Sequence, residues 1–251
     1  MNKTGLVSIT FRNLKPREII DAVKKAGLDG IEWGSDIHAP CGDLKTAREI
    51  ANMCREEGLE VLSYGSYFGK QLVRDVKAEF IPVVDSAYEM GAPNIRIWAG
   101  TLDSEEVPLD VRAKMVNQYR AFAKYAQDAG ITLSFEYHQK TLTNTPESAV
   151  KLIEEIGHPN AYLYWQPNQY KDFVYNMGSL KTAMPYVSNV HVFNWAGKER
   201  YSLSEGNGVW GAYLHTLNQD GKDRAFMLEF VKDGTLETFY DDAETLNAWI
   251  K

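Results

Sequence analysis

Short apolar runs alternate with amphipathic stretches along this chain, and the repeat is about thirty residues, the span of one strand plus one helix. GIEW, EVLSYGS, NIRIWAG, TLSFEYH and AYLYWQP are the first such runs. Each follows a helical stretch that closes on Gly27, Gly58, Gly91, Gly130 or Gly157. Glycine in that place reads as a left-handed helix cap, because it takes positive φ without steric cost. In the opening unit a strand over Leu6–Thr10 leads to Pro16 at a helix start, and Ile19, Ile20, Val23 and Ala26 then recur at helical spacing.

Further helices are predicted near Asp43–Glu57 with Asp43 as N-cap, Leu72–Met90, Leu109–Ala129, Pro146–Ile156, Lys171–Met184, Val209–Leu217 and Leu236–Ile250. NVHVFNW and AFMLEFV supply the last two strands, so eight strands are each followed by a helix. Strands this apolar on both faces suit a parallel sheet covered by helices. Eight strict alternations close most simply into an α/β barrel of the (β/α)8 type. An open doubly wound sheet is the alternative, but no Gly-x-Gly-x-x-Gly turn follows a strand. No linker or low-complexity tract divides the chain, which reads as a single domain over 1–251.

Composition narrows the partners. The apolar fraction of 44% is ample for a core, and a formal charge of -7 without a basic cluster argues against nucleic acid. No segment approaches a membrane span, and MNKTGLVSIT lacks the apolar core of a signal peptide, so the expected location is cytoplasmic. Cys41 and Cys54 form no paired array and read as reduced thiols. A small molecule is the expected partner; a homo-oligomer is left open.

In a barrel of this kind the chemistry gathers at the carboxyl ends of the strands. Alternation along TLSFEYH puts Ser134, Glu136 and His138 on one side and Phe135 and Tyr137 on the other. Strand two contributes Glu32, strand six Gln166, strand seven His191 and strand eight Glu229. Glu32 reads as an ion-pair partner for Arg96 inside the barrel. Glu136, His191 and Glu229 together suggest a divalent metal, since a mixed oxygen and nitrogen shell suits manganese, magnesium, cobalt or zinc. His38, Trp98 and His138 are candidate substrate contacts, and in the long loop AGKERYSLSEGNGVW Lys198 or Arg200 could meet an anionic or polyhydroxylated ligand.

The segments IEWGSDIHAPCGD, IRIWAG, LSFEYHQKTLTNTPESA, LYWQPNQ, NVHVFNW and MLEFV resemble the xylose-isomerase-like TIM barrels, the sugar phosphate isomerases and epimerases. That resemblance spans essentially the whole chain. It implies a metal held by Glu136, His191 and Glu229, with Gln166 where the family carries an aspartate. It also implies proton transfer beside a ketose carbonyl through an enediolate, with Glu136 and Glu229 as the acid and base. Gln169 is a second departure, standing where the epimerase branch has a substrate-binding histidine. The expected function is a metal-dependent sugar epimerase or aldose–ketose isomerase. The alternatives are an inosose-type dehydratase of the same family and a non-catalytic sugar binder with a weakened metal site.

Overall fold

The computed structural model describes residues 1–251. Its barrel strands are β1 (Lys3–Val7), β2 (Gly30–Gly34), β3 (Glu60–Gly65), β4 (Asn94–Ile97), β5 (Thr132–Glu136), β6 (Ala161–Trp165), β7 (Val187–Val192) and β10 (Ala225–Leu228). They pair in parallel and in chain order, and β10 closes the ring against β1. Between β7 and β10 a small antiparallel hairpin, β8 (Trp195–Ala196) and β9 (Glu199–Arg200), rises from the loop. The surrounding helices are α1 (Pro16–Lys25), α2 (Leu44–Glu56), α3 (Val76–Met90), α4 (Leu109–Asp128), α5 (Pro146–Ile156), α6 (Phe173–Ala183), α7 (Asn207–Leu217) and α8 (Leu236–Ile250). No helix is long and apolar enough to cross a membrane.

Most of the core lies between the sheet and the helices, which is why the strands read as apolar on their outward faces. Phe80 of α3 stacks on Phe122 of α4 with ring centroids 4.3 Å apart, joining neighbouring helices above the sheet. Burying one such ring contributes about 1.5–3 kcal/mol.

Inside the barrel the lower layers are closed by two devices. Gly5 and Gly30 leave room for Leu62 and Met227, since a Cβ on Gly5 would lie 2.5 Å from Leu62 Cδ1. Beside them the Asn94 amide accepts from Ser63 Oγ at 3.1 Å and donates to Ser134 Oγ at 2.7 Å, and Ser134 bonds Ser188 at 2.8 Å. Each buried polar group in this layer is therefore partnered.

Four element boundaries differ from those expected. The first strand stops at Val7, where pairing with β2 ends, and residues 8–11 form a 3-10 turn. The third helix begins at Val76 because Asp75 caps it by accepting from Ala78 N, while Val73 N is drawn to Gln118 Oε1 of α4. The sixth starts at Phe173, after the Asp172 cap, and gives way to a 3-10 turn carrying Pro185. The seventh starts two residues early, at Asn207, directly after another 3-10 turn.

Asp242 of α8 supports a stability prediction. Its buried carboxylate accepts from Leu203 N at 2.8 Å, and burial pushes its pKa up to about 6. The folded state then binds a proton that the unfolded state releases, so stability falls as pH rises from about 4 to about 6. Asp242→Asn keeps an acceptor for Leu203 without the charge. At pH 7.5 or so it is expected to be more stable by about 2 kcal/mol, raising Tm by roughly 4–8 °C. Below pH 4 or so the two proteins should melt together. Parallel melting profiles across that range would remove Asp242 as their cause.

Candidate active site and metal centre

Strand alternation and parallel register bring four charged side chains into one layer of the barrel. Glu32 on β2, Arg96 on β4, Glu136 on β5 and His191 on β7 point inward, and all four are buried. Arg96 Nη2 meets Glu32 Oε1 at 2.6 Å, and its Nη1 meets Glu136 Oε2 at 3.0 Å. The pairing of Glu32 with Arg96 was expected; the bond to Glu136 is additional. Gly65 makes the arrangement possible, because a Cβ there would lie 2.5 Å from Arg96 Nη2 and 2.6 Å from Glu32 Oε1.

Above this layer Gln166 and Glu229 lean in from the ends of β6 and β10. His191 Nδ1 lies 3.0 Å from Gln166 Oε1, 3.6 Å from Glu229 Oε2 and 3.9 Å from Glu136 Oε1. The ligating atoms of Glu136, His191 and Glu229 all fall within 4.8 Å of one another. Ligands about 2.1 Å from a divalent ion are separated by about 3.0 Å in octahedral and about 3.4 Å in tetrahedral geometry, so the spacing fits a cation.

Electrostatics points the same way. Three buried carboxylates, Glu32, Glu136 and Glu229, face one buried guanidinium, which leaves two negative charges when His191 is neutral. Burial raises the pKa of Glu229, and neighbouring Glu136 and Glu32 add to that. For His191 burial works against protonation, yet the charges of Glu229 and Glu32 outweigh it and raise the pKa. Glu32 is the counterpart: burial opposes its charge, but Arg96 and His191 hold it well below the usual carboxylate range. A divalent cation would balance the residual charge.

Of the six buried side-chain atoms without a hydrogen-bond partner, two belong to this cluster, His191 Nε2 and Glu32 Oε2, and they lie 3.5 Å apart. In this arrangement Nδ1–H donates to Gln166 Oε1; with a cation among Glu136, Gln166 and Glu229 the proton would instead sit on Nε2, which already faces Glu32. Histidine ligands are commonly oriented by such a carboxylate. The residues present therefore fit a divalent metal.

A cavity of about 140 Å³ opens above the cluster, with Glu136, Glu229, Gln166, Arg96, His138 and Trp98 in its wall. His138 stacks on Trp98 with centroids 4.5 Å apart, and its Nδ1 lies 2.6 Å from the carbonyl of Gln139. Nδ1 is thus the donor, and Nε2 is the ring's free acceptor. Gln169 also lines this cavity; Arg200 is not in its wall but lies 4.8 Å over the rings of Trp195 and Phe230, which are.

His38 is placed differently from expectation. Its Nδ1 bonds Ser8 Oγ at 3.0 Å and its Nε2 meets the Leu14 carbonyl at 3.2 Å, so both nitrogens serve the wall rather than the cavity. Tyr67, Phe193 and Phe230 line the cavity without having been singled out from the sequence. Phe230 adopts φ 54°, a conformation costly for a bulky residue, directly after Glu229. No sequence pattern announces that turn.

A larger hollow of about 680 Å³ lies at the other end of the barrel, among Lys3, Asn94, Ser188 and Arg224. Arg224 is committed there to Asp220 and to the carbonyls of Leu217 and Val187. That end brings together no acid and base comparable to the cluster.

Gln166→Glu, which keeps length and adds a charge, is expected to tighten divalent-metal binding about tenfold in a dye competition. In chelator the same variant should melt at lower temperature than the parent. Unchanged metal affinity would take Gln166 out of the ligand set.

Comparison with known proteins agrees with this architecture. A curated relative, 3-dehydroshikimate dehydratase of Bacillus anthracis, is 24% identical over 228 residues, covering 84% of this chain and 78% of the relative. Among solved structures, the probable 3-DHS dehydratase involved in petrobactin synthesis in Bacillus anthracis superposes with a TM-score of 0.83 at 19% identity, covering 98% of this chain and 99% of that one. A D-allulose 3-epimerase from Methylomonas sp. superposes with a TM-score of 0.74 at 16% identity, covering 99% and 98%. These two likenesses are of fold. The sequence profile described as xylose isomerase-like TIM barrel matches residues 20–249, and the chain belongs to that family.

Proposed function

We propose that this protein dehydrates a small polyhydroxy ketone, removing the proton beside the carbonyl and releasing a hydroxyl from the next carbon as water. The observation that carries this reading is the unequal commitment of the two carboxylates. Glu136 has one oxygen tied to Arg96 at 3.0 Å and the other facing Gln166 Nε2 at 3.4 Å. Glu229 accepts no hydrogen bond from the protein, its nearest donor, His191 Nδ1, lying 3.6 Å from Oε2. Glu229 is therefore the better base, and epimerisation through two equivalent carboxylates is disfavoured.

Glu136, Gln166, His191 and Glu229 would hold the divalent cation, which when bound supplies Lewis-acid polarisation of the substrate carbonyl. Glu229 offers one oxygen to the ligand set and keeps the second for the substrate proton. His138, its Nδ1–H held by the Gln139 carbonyl, acts as the imidazolium, giving its Nε2 proton to the departing hydroxyl and regaining one from solvent. Trp98 keeps that ring in place by stacking on it. The dehydratase among the chain's relatives supports the same reading.

Epimerisation is the second reading, supported by the approach of Glu136 and Glu229 from facing sides of the cluster and by the shared fold of D-allulose 3-epimerase. One experiment separates the two. Manganese-loaded protein is incubated in deuterated water with cyclic and open-chain hydroxy-ketones. Dehydration gives a conjugated product with new ultraviolet absorbance, whereas epimerisation gives C–H exchange without it. No exchange and no absorbance with any ketone would defeat both.

A further inference from the structure

We infer that the cavity selects an anionic substrate, a hydroxy-ketone bearing a carboxylate or phosphate group, and that Lys70 and Arg200 recognise the anion. This rests on the reading of the cavity as a ketone site and adds the charge of the substrate to it.

The inference begins with the cationic side chains that are not exposed: Lys3, Lys70, Arg96, Arg112, Arg200 and Arg224. Four have an acidic partner within 4 Å, namely Glu60 for Lys3, Glu32 and Glu136 for Arg96, Glu155 for Arg112 and Asp220 for Arg224. Lys70 and Arg200 have none. A partly desolvated cation without a counter-ion is unfavourable, so such a pair calls for a reason.

Both are held on aromatic rings that line the cavity. Lys70 Nζ lies 4.4 Å from the centre of Tyr67 and 4.2 Å from that of Trp98. The Arg200 guanidinium lies 4.8 Å from both Trp195 and Phe230. Its one hydrogen bond, to the Val231 carbonyl, is long at 3.5 Å. Stacking on a ring face fixes a cation while leaving its N–H groups free for an anion. Tyr67 and Trp98 follow β3 and β4, whereas Trp195 and Phe230 follow β7 and β10, on the opposite side of the ring of strands. The two cations thus lie against the aromatic wall on opposite sides of the cavity.

The remaining polar lining is compatible with negative charge. Gln166 and Gln169 are neutral amides, and the Gln169 side chain has no partner within the protein and is free to donate. The only carboxylates in the wall are Glu136 and Glu229, which belong to the metal cluster. Once a divalent cation balances that cluster, the uncompensated charge nearest the cavity is positive and attracts anions, most strongly at low salt. At about 140 Å³ the cavity holds one small molecule, so the anion and the ketone belong to the same skeleton.

Three probes that share a polyhydroxylated six-carbon ring test this: quinate, myo-inositol 1-phosphate and neutral myo-inositol. Binding to the manganese-loaded protein is measured by calorimetry at low and high salt. At least one charged probe is expected to bind about tenfold tighter than myo-inositol, and salt should erode the difference. The preferred probe identifies carboxylate or phosphate as the recognised group. Lys70→Met and Arg200→Met, which keep a side chain on the rings, should each reduce the preference, and the double variant should abolish it. Equal affinity for charged and neutral probes, no binding by any of them, or a preference that survives in the double variant overturns the inference. The salt series on the parent protein needs no variant to fold. Deuterium exchange on neutral ketones without any anion preference would leave the enzymatic reading standing and defeat only this one.

Discussion

Glu229→Gln is expected to slow exchange of the substrate C–H with solvent deuterium by about a thousandfold, the usual cost of losing a positioned general base. Glutamine has the same shape and still offers one oxygen to a cation, so the comparison belongs at saturating metal. The fold should survive. Glu229 is a buried carboxylate raised in pKa by burial and by Glu136, and a neutral side chain there removes repulsion rather than support. Metal-free Glu229→Gln protein should therefore melt no lower than its parent. Retained exchange would remove Glu229 from the mechanism and leave His138 as the base to examine.

Arg96→Met is expected to produce the largest loss of stability. It strips the shared partner from Glu32 and Glu136, whose side chains are 0% and 4% exposed. Leaving buried charge uncompensated costs about 3–5 kcal/mol. In a chain of this length that lowers Tm by roughly 6–20 °C. A divalent cation at Glu136, His191 and Glu229 would restore part of the balance, so manganese should raise Tm more in Arg96→Met than in the parent. Arg96→Lys keeps a charge but loses the fork that reaches both acids, and it should fall between them. If Arg96→Met melts with the parent in chelator, the three carboxylates do not share the charge excess described for the cluster.

The two variants separate the roles of neighbouring groups. One removes a side chain expected to act on substrate; the other removes a side chain that keeps Glu136 from doing the same. If Arg96 governs the contrast between the carboxylates, the residual product of Arg96→Lys should shift from dehydration toward epimerisation. Product analysis reads that change separately from any fall in rate.

Much of this protein was legible in its linear pattern. The barrel, its eight strands and the strand ends bearing Glu136, Gln166, His191 and Glu229 follow from signals that act over a few residues. Alternation within a strand decides which side chains face inward, and a glycine after a helix decides where the chain turns. Parallel register then carries those side chains to one end of the barrel. The early starts and stops, such as the first strand ending at Val7, reflect pairing partners supplied by distant strands.

The tertiary structure alone decided the rest. It gave Arg96 a second acid, buried both nitrogens of His38 in the wall, and brought Tyr67, Phe193 and Phe230 around the cavity. It also left Lys70 and Arg200 on aromatic rings without acidic partners. These residues sit in or beside loops, where no repeating geometry dictates the direction of a side chain. Their positions are set by contacts between segments far apart in the chain, and those contacts exist only once the ring of strands has closed.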